Sequence, residues 1–265
     1  MRQAGTIGTM IAALCLALAL PLLAGAGCET NKATGRKQLI IISETQEIAL
    51  GRQAAPGVEN EIGKPSKDNG LQARVQAIGK EMCRTSQRPT LPYTFTVLES
   101  KVPNAFSLPG GPVYITTGLI RLLETSPDRI AAVLGHEIGH INARHAVSQM
   151  QTTLGLELLL QAANVGTNAE DRTLATGRVV GALALLKFSR DDELEADRLG
   201  MDYLVATKRR PEAMLEVLQK LQTLEQDQPN LMSELTRTHP HSAIRVDEAR
   251  KYIGDRRAKG RYPAR

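Results

Sequence analysis

Three of the five histidines in this 265-residue chain fall within GHEIGHINARH, Gly135 to His145. His136 and His140 stand one helical turn apart, so a helix presents both imidazoles on one face, where they can hold one ion. Glu137 follows His136 by about 100° of helical rotation. It is too close to join them comfortably as a ligand, yet it is placed to reach a water on the metal. The HExxH spacing thus combines two neutral nitrogen donors with one carboxylate base, a design for metal-assisted hydrolysis. By chance the pattern arises in on the order of one per cent of chains this size. The competing reading is an exposed helix face with scattered histidines, and the apolar residues around the motif count against it.

Two histidines make half a site, and a third ligand is required. The extended pattern HExxHxxGxxH fails here, because Ala143 and Ala146 occupy the places of its glycine and last histidine. His145 comes one position early and falls off the shared face, which reads as a surface residue or a partner behind a ligand. The better source is FSRDDELEADRLG, Phe188 to Gly200. Glu193 and Asp197 are four apart and share a helix face, while Glu195 points away by about 200°. One carboxylate can ligate while the other accepts the N–H of a ligating histidine, fixing its tautomer and orientation. A charged helix surface is the competing reading of such a run.

These residues need a scaffold. Ser126 and Pro127 make a helix start, a capping hydroxyl followed by proline at the first helical position. The helix they open carries Ile130, Val133, Leu134, Ile138 and Ile141, so HEIGH lies mid-helix on a core-facing element. A helical hairpin follows, with a break at 164–171, and then a long helix over 173–206. Pro211 opens another with Leu215, Leu218, Leu221 and Leu224, and Ser242 caps a last helix over 243–253. Upstream, Ser43 and Gln46 stand in capping-box relation at the head of a helix over 43–54. Residues 56–70 read as loop from their Gly, Pro, Asn and Asp content. Leu71, Val75, Ile78 and Met82 form one helical stripe. YTFTVLE (93–99) and VYITT (113–117) alternate and are β-branched, hence strands, joined by the turn-rich NAFSLPGG (104–111). No solenoid repeat is visible. The expected fold is α+β, mainly helical, with a small β-sheet and an HExxH active-site helix in a single domain over 28–254.

Composition agrees with a globular chain: 42% hydrophobic residues, no Trp and 3% aromatic, so the core is built from aliphatic side chains and Met. The mild net charge of +5 is spread out, pointing to no nucleic-acid partner, except in a basic tail over 255–265. That tail reads as solvated and disordered, with contact to anionic lipid headgroups as the alternative. Residues 1–27 have a secretory layout: a basic start, the apolar run Ile11 to Ala24, then small residues. Cleavage after Ala26 is one reading. The other is a lipobox ending at Cys28, which becomes the lipidated first residue. An uncleaved anchor competes with both, although the run is short for a span and contains Pro21. Cys83 is left without a partner and reads as a small buried apolar residue.

HEIGH with Glu193 in SRDDELEAD resembles the zinc metallopeptidase family of BepA- and LoiP-type bacterial periplasmic peptidases. Oma-type and CAAX prenyl proteases are more distant members. The likeness extends through TGRKQLIIISETQEIALG (34–51), NAFSLPGGPVYITTGLI (104–120) and THP with Arg245. It implies a gluzincin-type fold holding one Zn2+ per chain, with Glu193 as third ligand and Asp197 as its support. By the same resemblance, a substrate strand adds to the sheet edge at Asn104, Ala105 and Phe106. His239 either fills the open metal position or steadies the oxyanion, and His241 can substitute for it. Pro240 keeps His239 out of regular helix. The repeat array of BepA-type members is not expected here, so the LoiP-type pattern is nearer. The implied function is an envelope endopeptidase acting on unfolded or misassembled envelope polypeptides. The alternative is a chaperone-like outer-membrane assembly factor with a structural or latent zinc. The implied place is the periplasmic side of the outer membrane as a lipoprotein, favoured by Glu29 after Cys28, or else the soluble periplasm.

Overall fold

The computed structural model describes residues 27–152, 186–240 and 243–263. Residues 1–26 of the expected leader and the break at 164–171 in the expected helical hairpin therefore lie outside the described residues, as do His241 and the Ser242 cap. The described chain begins with an antiparallel hairpin, β1 (Gly27–Thr30) and β2 (Lys37–Ile40), with Cys28 opposite Leu39. Its turn is organised by buried Asn31, whose Oδ1 accepts from the backbone of Ala33 at 2.8 Å. The Asn31 amide donates to the Asn142 carbonyl at 3.1 Å, pinning the hairpin to the helix that carries HEIGH.

Helix α1 (Glu44–Glu61) starts on the expected capping box, with Ser43 and Gln46 bonding reciprocally. It continues through Pro56 to Glu61, where the sequence reads as loop. Ala54 and Val58 are buried, and that burial carries the helix past the one N–H that proline removes. Helix α2 (Asn69–Cys83) buries Val75, Ile78 and Met82 as the stripe predicts, and Cys83 is buried and free. The sheet comprises β3 (Thr94–Leu98), β4 (Ala105–Ser107) and β5 (Pro112–Thr116) in the order β3-β5-β4, with β3 parallel and β4 antiparallel to β5. The expected turn over 104–111 thus holds a short strand, and β4 stands at the sheet edge.

After the short α3 (Thr117–Leu122) comes α4 (Pro127–Ala143), which carries HEIGH. Pro127 takes its first turn, but Ser126 makes no side-chain cap bond. Every residue from Ile130 to Ala143 is buried, so this is a core helix and not an exposed polar one. It ends where Arg144 turns left-handed at φ 59°, and residues 145–152 are helical again. Of the long helix read over 173–206, residues 173–185 lie outside the described residues, residues 186–189 are non-helical, and α5 (Arg190–Ala206) begins on a Ser189–Asp192 capping box. Helices α6 (Glu212–Asp227), α7 (Pro229–Thr238) and α8 (Ala243–Ala258) complete the described chain, which is mainly helical with a small three-stranded sheet, as expected, and the separate β1–β2 hairpin. The reading of the tail from 255 as disordered is corrected: α8 runs to Ala258, and Tyr262 is buried with its hydroxyl on Asp202 at 2.8 Å. The aromatic ring and the Asp202 bond give this basic end something to fold onto. Among the described residues no helix is long and apolar enough to cross a membrane.

Helices α4 and α5 cross very closely, and small residues allow it. A methyl on Gly139 would stand 3.0 Å from the Ala196 carbonyl oxygen, and one on Gly200 would stand 3.0 Å from the His136 nitrogen. Without side chains at these points the backbones approach until the histidines of α4 and the carboxylates of α5 share one space.

Candidate metal centre

Four side chains meet at that crossing: His136 and His140 from α4, Glu193 from α5, and His239 just past the end of α7. Each offers a donor atom, and these atoms all lie within 4.8 Å of one another in a buried cluster. His136 Nε2 and His140 Nε2 are 3.0 Å apart, and Glu193 Oε1 lies 3.4 Å from His140 Nε2 and 3.0 Å from His239 Nδ1. The spacing of HExxH brings its two rings together, and the step from Glu193 to Asp197 divides those carboxylates between the cluster and its rim.

Asp197 lies behind His136, with Oδ1 2.9 Å from Nδ1. Arg245 of α8 clamps this carboxylate with two donors, Nε to Oδ2 at 2.8 Å and Nη2 to Oδ1 at 2.7 Å. Its remaining nitrogen, Nη1, is 2.6 Å from Glu193 Oε2. Burial alone would push both carboxyls up, but Arg245 and the neighbouring imidazoles hold Glu193 and Asp197 below the usual carboxylate range. Burial likewise opposes a charge on His136, but Glu193 and Asp197 outweigh it and raise the ring from 6.5 to about 10. Burial and the His136 charge lower His140. One imidazole of this pair is therefore charged and the other neutral when no ion is bound.

The donor set fits a divalent ion. Three imidazoles and one carboxylate are nitrogen and oxygen ligands of the kind zinc takes. Imidazole nitrogens facing each other at 3.0 Å converge on a point that an ion can share. Buried His239 Nε2 has no hydrogen-bond partner among the described residues. A polar atom left bare in a core is costly unless something else meets it.

Glu137 is buried beside this cluster and outside it. Its Oε2 accepts from the Ser107 hydroxyl at 3.0 Å, and its Oε1 lies 3.6 Å from His239 Nε2. Ser107 ends the edge strand β4, so the residues expected to meet substrate, Asn104, Ala105 and Phe106, run along the border of the site. Asn104 Oδ1 is buried with no partner among the described residues. Phe106, Leu108 and Phe188 line a cleft of about 340 Å³ that also touches Thr238 and His239. Phe188 stacks on the His140 ring, centroids 4.0 Å apart.

Sequence reasoning misses several of these partners. Ser107 carries no spacing signal, because its position depends on β4 folding as a strand. Arg245 enters only through resemblance, without a role. Of the two readings of His145, burial removes the surface one, and the ring stands behind His140, with Nδ1 2.8 Å from His140 Nδ1 and Nε2 3.0 Å from Glu195 Oε2. Glu195 does point away from the donors, as its rotation predicts, but it reaches the site through His145.

Comparison with known proteins agrees with this geometry. The family described as Peptidase family M48 matches residues 69–253. The chain is 28% identical to the beta-barrel assembly-enhancing protease of Yersinia pestis, over 91% of the chain and 52% of that protein. It is 25% identical to metalloprotease LoiP of Escherichia coli K12, over 80% of the chain and 82% of that protein. With the mitochondrial metalloendopeptidase OMA1 of Schizosaccharomyces pombe it shares 26% identity, over 70% of the chain and 54% of the relative. The chain thus spans about half the length of the beta-barrel assembly-enhancing protease it matches.

Proposed function

The chain belongs to peptidase family M48, and from that premise we propose that it is a zinc-dependent endopeptidase of the bacterial cell envelope, acting on misfolded or misassembled envelope proteins. The observation that carries this reading is the place of Glu137: a buried carboxylate beside the donor cluster, oriented by the Ser107 hydroxyl. His136, His140 and Glu193 would hold one Zn2+, and Asp197 would fix the His136 ring. An ion bound there supplies Lewis-acid chemistry, polarising the scissile carbonyl and acidifying water. Glu137 accepts the proton of the attacking water and hands it to the leaving nitrogen. Ser107, by donating to one Glu137 oxygen, leaves the other for this transfer.

An extended substrate adds to the free edge of β4, pairing with the backbone of Asn104, Ala105 and Phe106. The apolar cleft walls, Val58, Ile62, Phe106 and Phe188, favour segments that expose hydrophobic side chains, as unfolded chains do. The link to β-barrel assembly is carried over from a relative's name. The envelope setting follows from that link together with the secretory layout of residues 1–27. Both go with a lipid-anchored protein, and Cys28→Ala is then expected to move it from the membrane fraction to the soluble one; unchanged fractionation would discard the anchor.

A second reading has one observation in its favour. With His239 in the cluster the donors number four, the closed set of a structural ion, which suits a latent site or an assembly factor. Glu137→Gln separates the two. For an endopeptidase it keeps the ion and the fold while cleavage of an unfolded outer-membrane protein falls by roughly 100- to 10,000-fold. Undiminished cleavage by this variant would overturn the peptidase mechanism.

A further inference from the structure

Both α4 histidines are backed at Nδ1, but by different groups. His136 meets a carboxylate directly, whereas His140 meets another imidazole, His145, at 2.8 Å between Nδ1 atoms. We propose that His145 is a positioning residue for the metal centre: it holds His140 in the tautomer that turns the Nε2 lone pair toward the ion. Glu195 in turn holds His145. The inference rests on the metal-site reading above and concerns residues outside the donor cluster.

Proton counting carries it. His140 Nε2 faces the cluster, 3.0 Å from His136 Nε2 and 3.4 Å from Glu193 Oε1. To ligate there it must carry its proton on Nδ1, since neutral imidazole has one N–H and one lone pair. That N–H meets His145 Nδ1, which must therefore present a lone pair, leaving the His145 proton on Nε2. Nε2 is 3.0 Å from Glu195 Oε2 and 3.4 Å from Asp192 Oδ1, both able to accept it. The Glu195 carboxylate is paired with the Arg36 guanidinium, in the turn between β1 and β2. Each step fixes the next, from Arg36 through Glu195 and His145 to His140.

The arrangement parallels the other side of the site, where Arg245 holds Asp197 and Asp197 holds His136. Helix α5 supplies both carboxylates. His145 is 3% exposed, so its ring has no free surface to swing into.

The test measures affinity for zinc alone, by competition with a chromogenic chelator, and the visible spectrum of the cobalt-substituted protein. His145→Ala is expected to weaken zinc by about 10- to 100-fold, as loss of a ligand's hydrogen-bond partner does elsewhere. His145→Asn places a carbonyl oxygen near the Nδ1 position and restores most of that loss together with the parent cobalt spectrum. Glu195→Ala, at the outer end of the chain of bonds, gives a smaller loss in the same direction and decides the matter if His145→Ala does not fold. Zinc affinities of His145→Ala and Glu195→Ala within about twofold of the parent would overturn the proposal. So would equal weakening in His145→Ala and His145→Asn, which marks a packing role. Parent protein that binds no zinc overturns both this proposal and the metal-site reading beneath it.

Discussion

His136 Nδ1 and Asp197 Oδ1 lie 2.9 Å apart, joining two buried helix faces across the crossing of α4 and α5. The contact orients the His136 ring, and it also helps to set its charge. In the absence of an ion, Glu193 and Asp197 overcome burial and keep His136 protonated up to about 10, while His140 beside it is neutral.

On the zinc-site reading proposed above, ion binding is therefore expected to be coupled to proton release. An ion at His136 Nε2 needs the lone pair that the extra proton occupies. The His136 pKa is raised in the folded chain, so the charged form stabilises the ion-free protein fully below 6.5 and progressively less as pH climbs through about 10. Competition with the proton has the same window: zinc affinity rises with pH from neutrality towards 10. Calorimetric titration in buffers of different ionisation enthalpy, at a mildly alkaline pH, is expected to show release of about one proton per ion. Binding enthalpies identical in all buffers would remove the charged His136 from the account.

The close approach of α4 and α5 yields a stability prediction in which steric crowding opposes helix propensity. Alanine outranks glycine in a helix interior by about 1 kcal/mol. At Gly254, with nothing within 4 Å of a new methyl, Gly254→Ala is expected to raise the melting temperature. At Gly139 the methyl meets the Ala196 backbone at 3.0 Å. Gly139→Ala should therefore destabilise by about 1–3 kcal/mol despite the better propensity. It also moves His140 away from Glu193, and zinc affinity falls with stability. Thermal melts of the two variants in metal-free buffer decide it, and a stabilised Gly139→Ala would show that the helices do not touch there.

Much of this site is legible in the sequence because α4 and α5 are regular. Rotation of about 100° per residue places His136, His140, Glu193 and Asp197 on their faces without knowledge of the fold. Glu195 marks the limit of the same argument. Its angle is right and its contact is invisible, because that contact depends on where His145 goes after Arg144 turns left-handed. Ser107 is hidden for a related reason: a short strand in a Gly- and Pro-rich stretch has no periodicity to read, and only pairing with β5 defines it. Pro56 misleads in the opposite sense, since packing of Ala54 and Val58 overrides a residue that usually ends helices. At the other end of the chain, basic composition conceals Tyr262, whose burial depends on Asp202 far away in sequence.

His239 gives the prediction whose sign separates two mechanisms. Its Nδ1 lies 3.0 Å from Glu193 Oε1 and 3.4 Å from His136 Nε2, so the ring sits among the donors. The residue is 3% exposed, and its backbone N–H donates to the Leu235 carbonyl of α7 at 2.8 Å, which holds it in place. Neutral imidazole is a good zinc ligand, and one tethered at high effective concentration competes with water for the open position. As a plug, His239 lowers basal activity, and His239→Ala raises cleavage of an unfolded substrate while leaving three donors to keep the ion. As a group that steadies the developing oxyanion, it contributes to the rate, and the same substitution lowers cleavage by on the order of 100-fold. The geometry favours the first outcome, because the ring is already among the ligand atoms, with Nδ1 3.0 Å from Glu193 Oε1 and 3.4 Å from His136 Nε2. Turnover and zinc content measured together on His239→Ala are the check: a rise with zinc retained is expected, a fall assigns the residue to catalysis, and no change in either leaves it without a role at the metal.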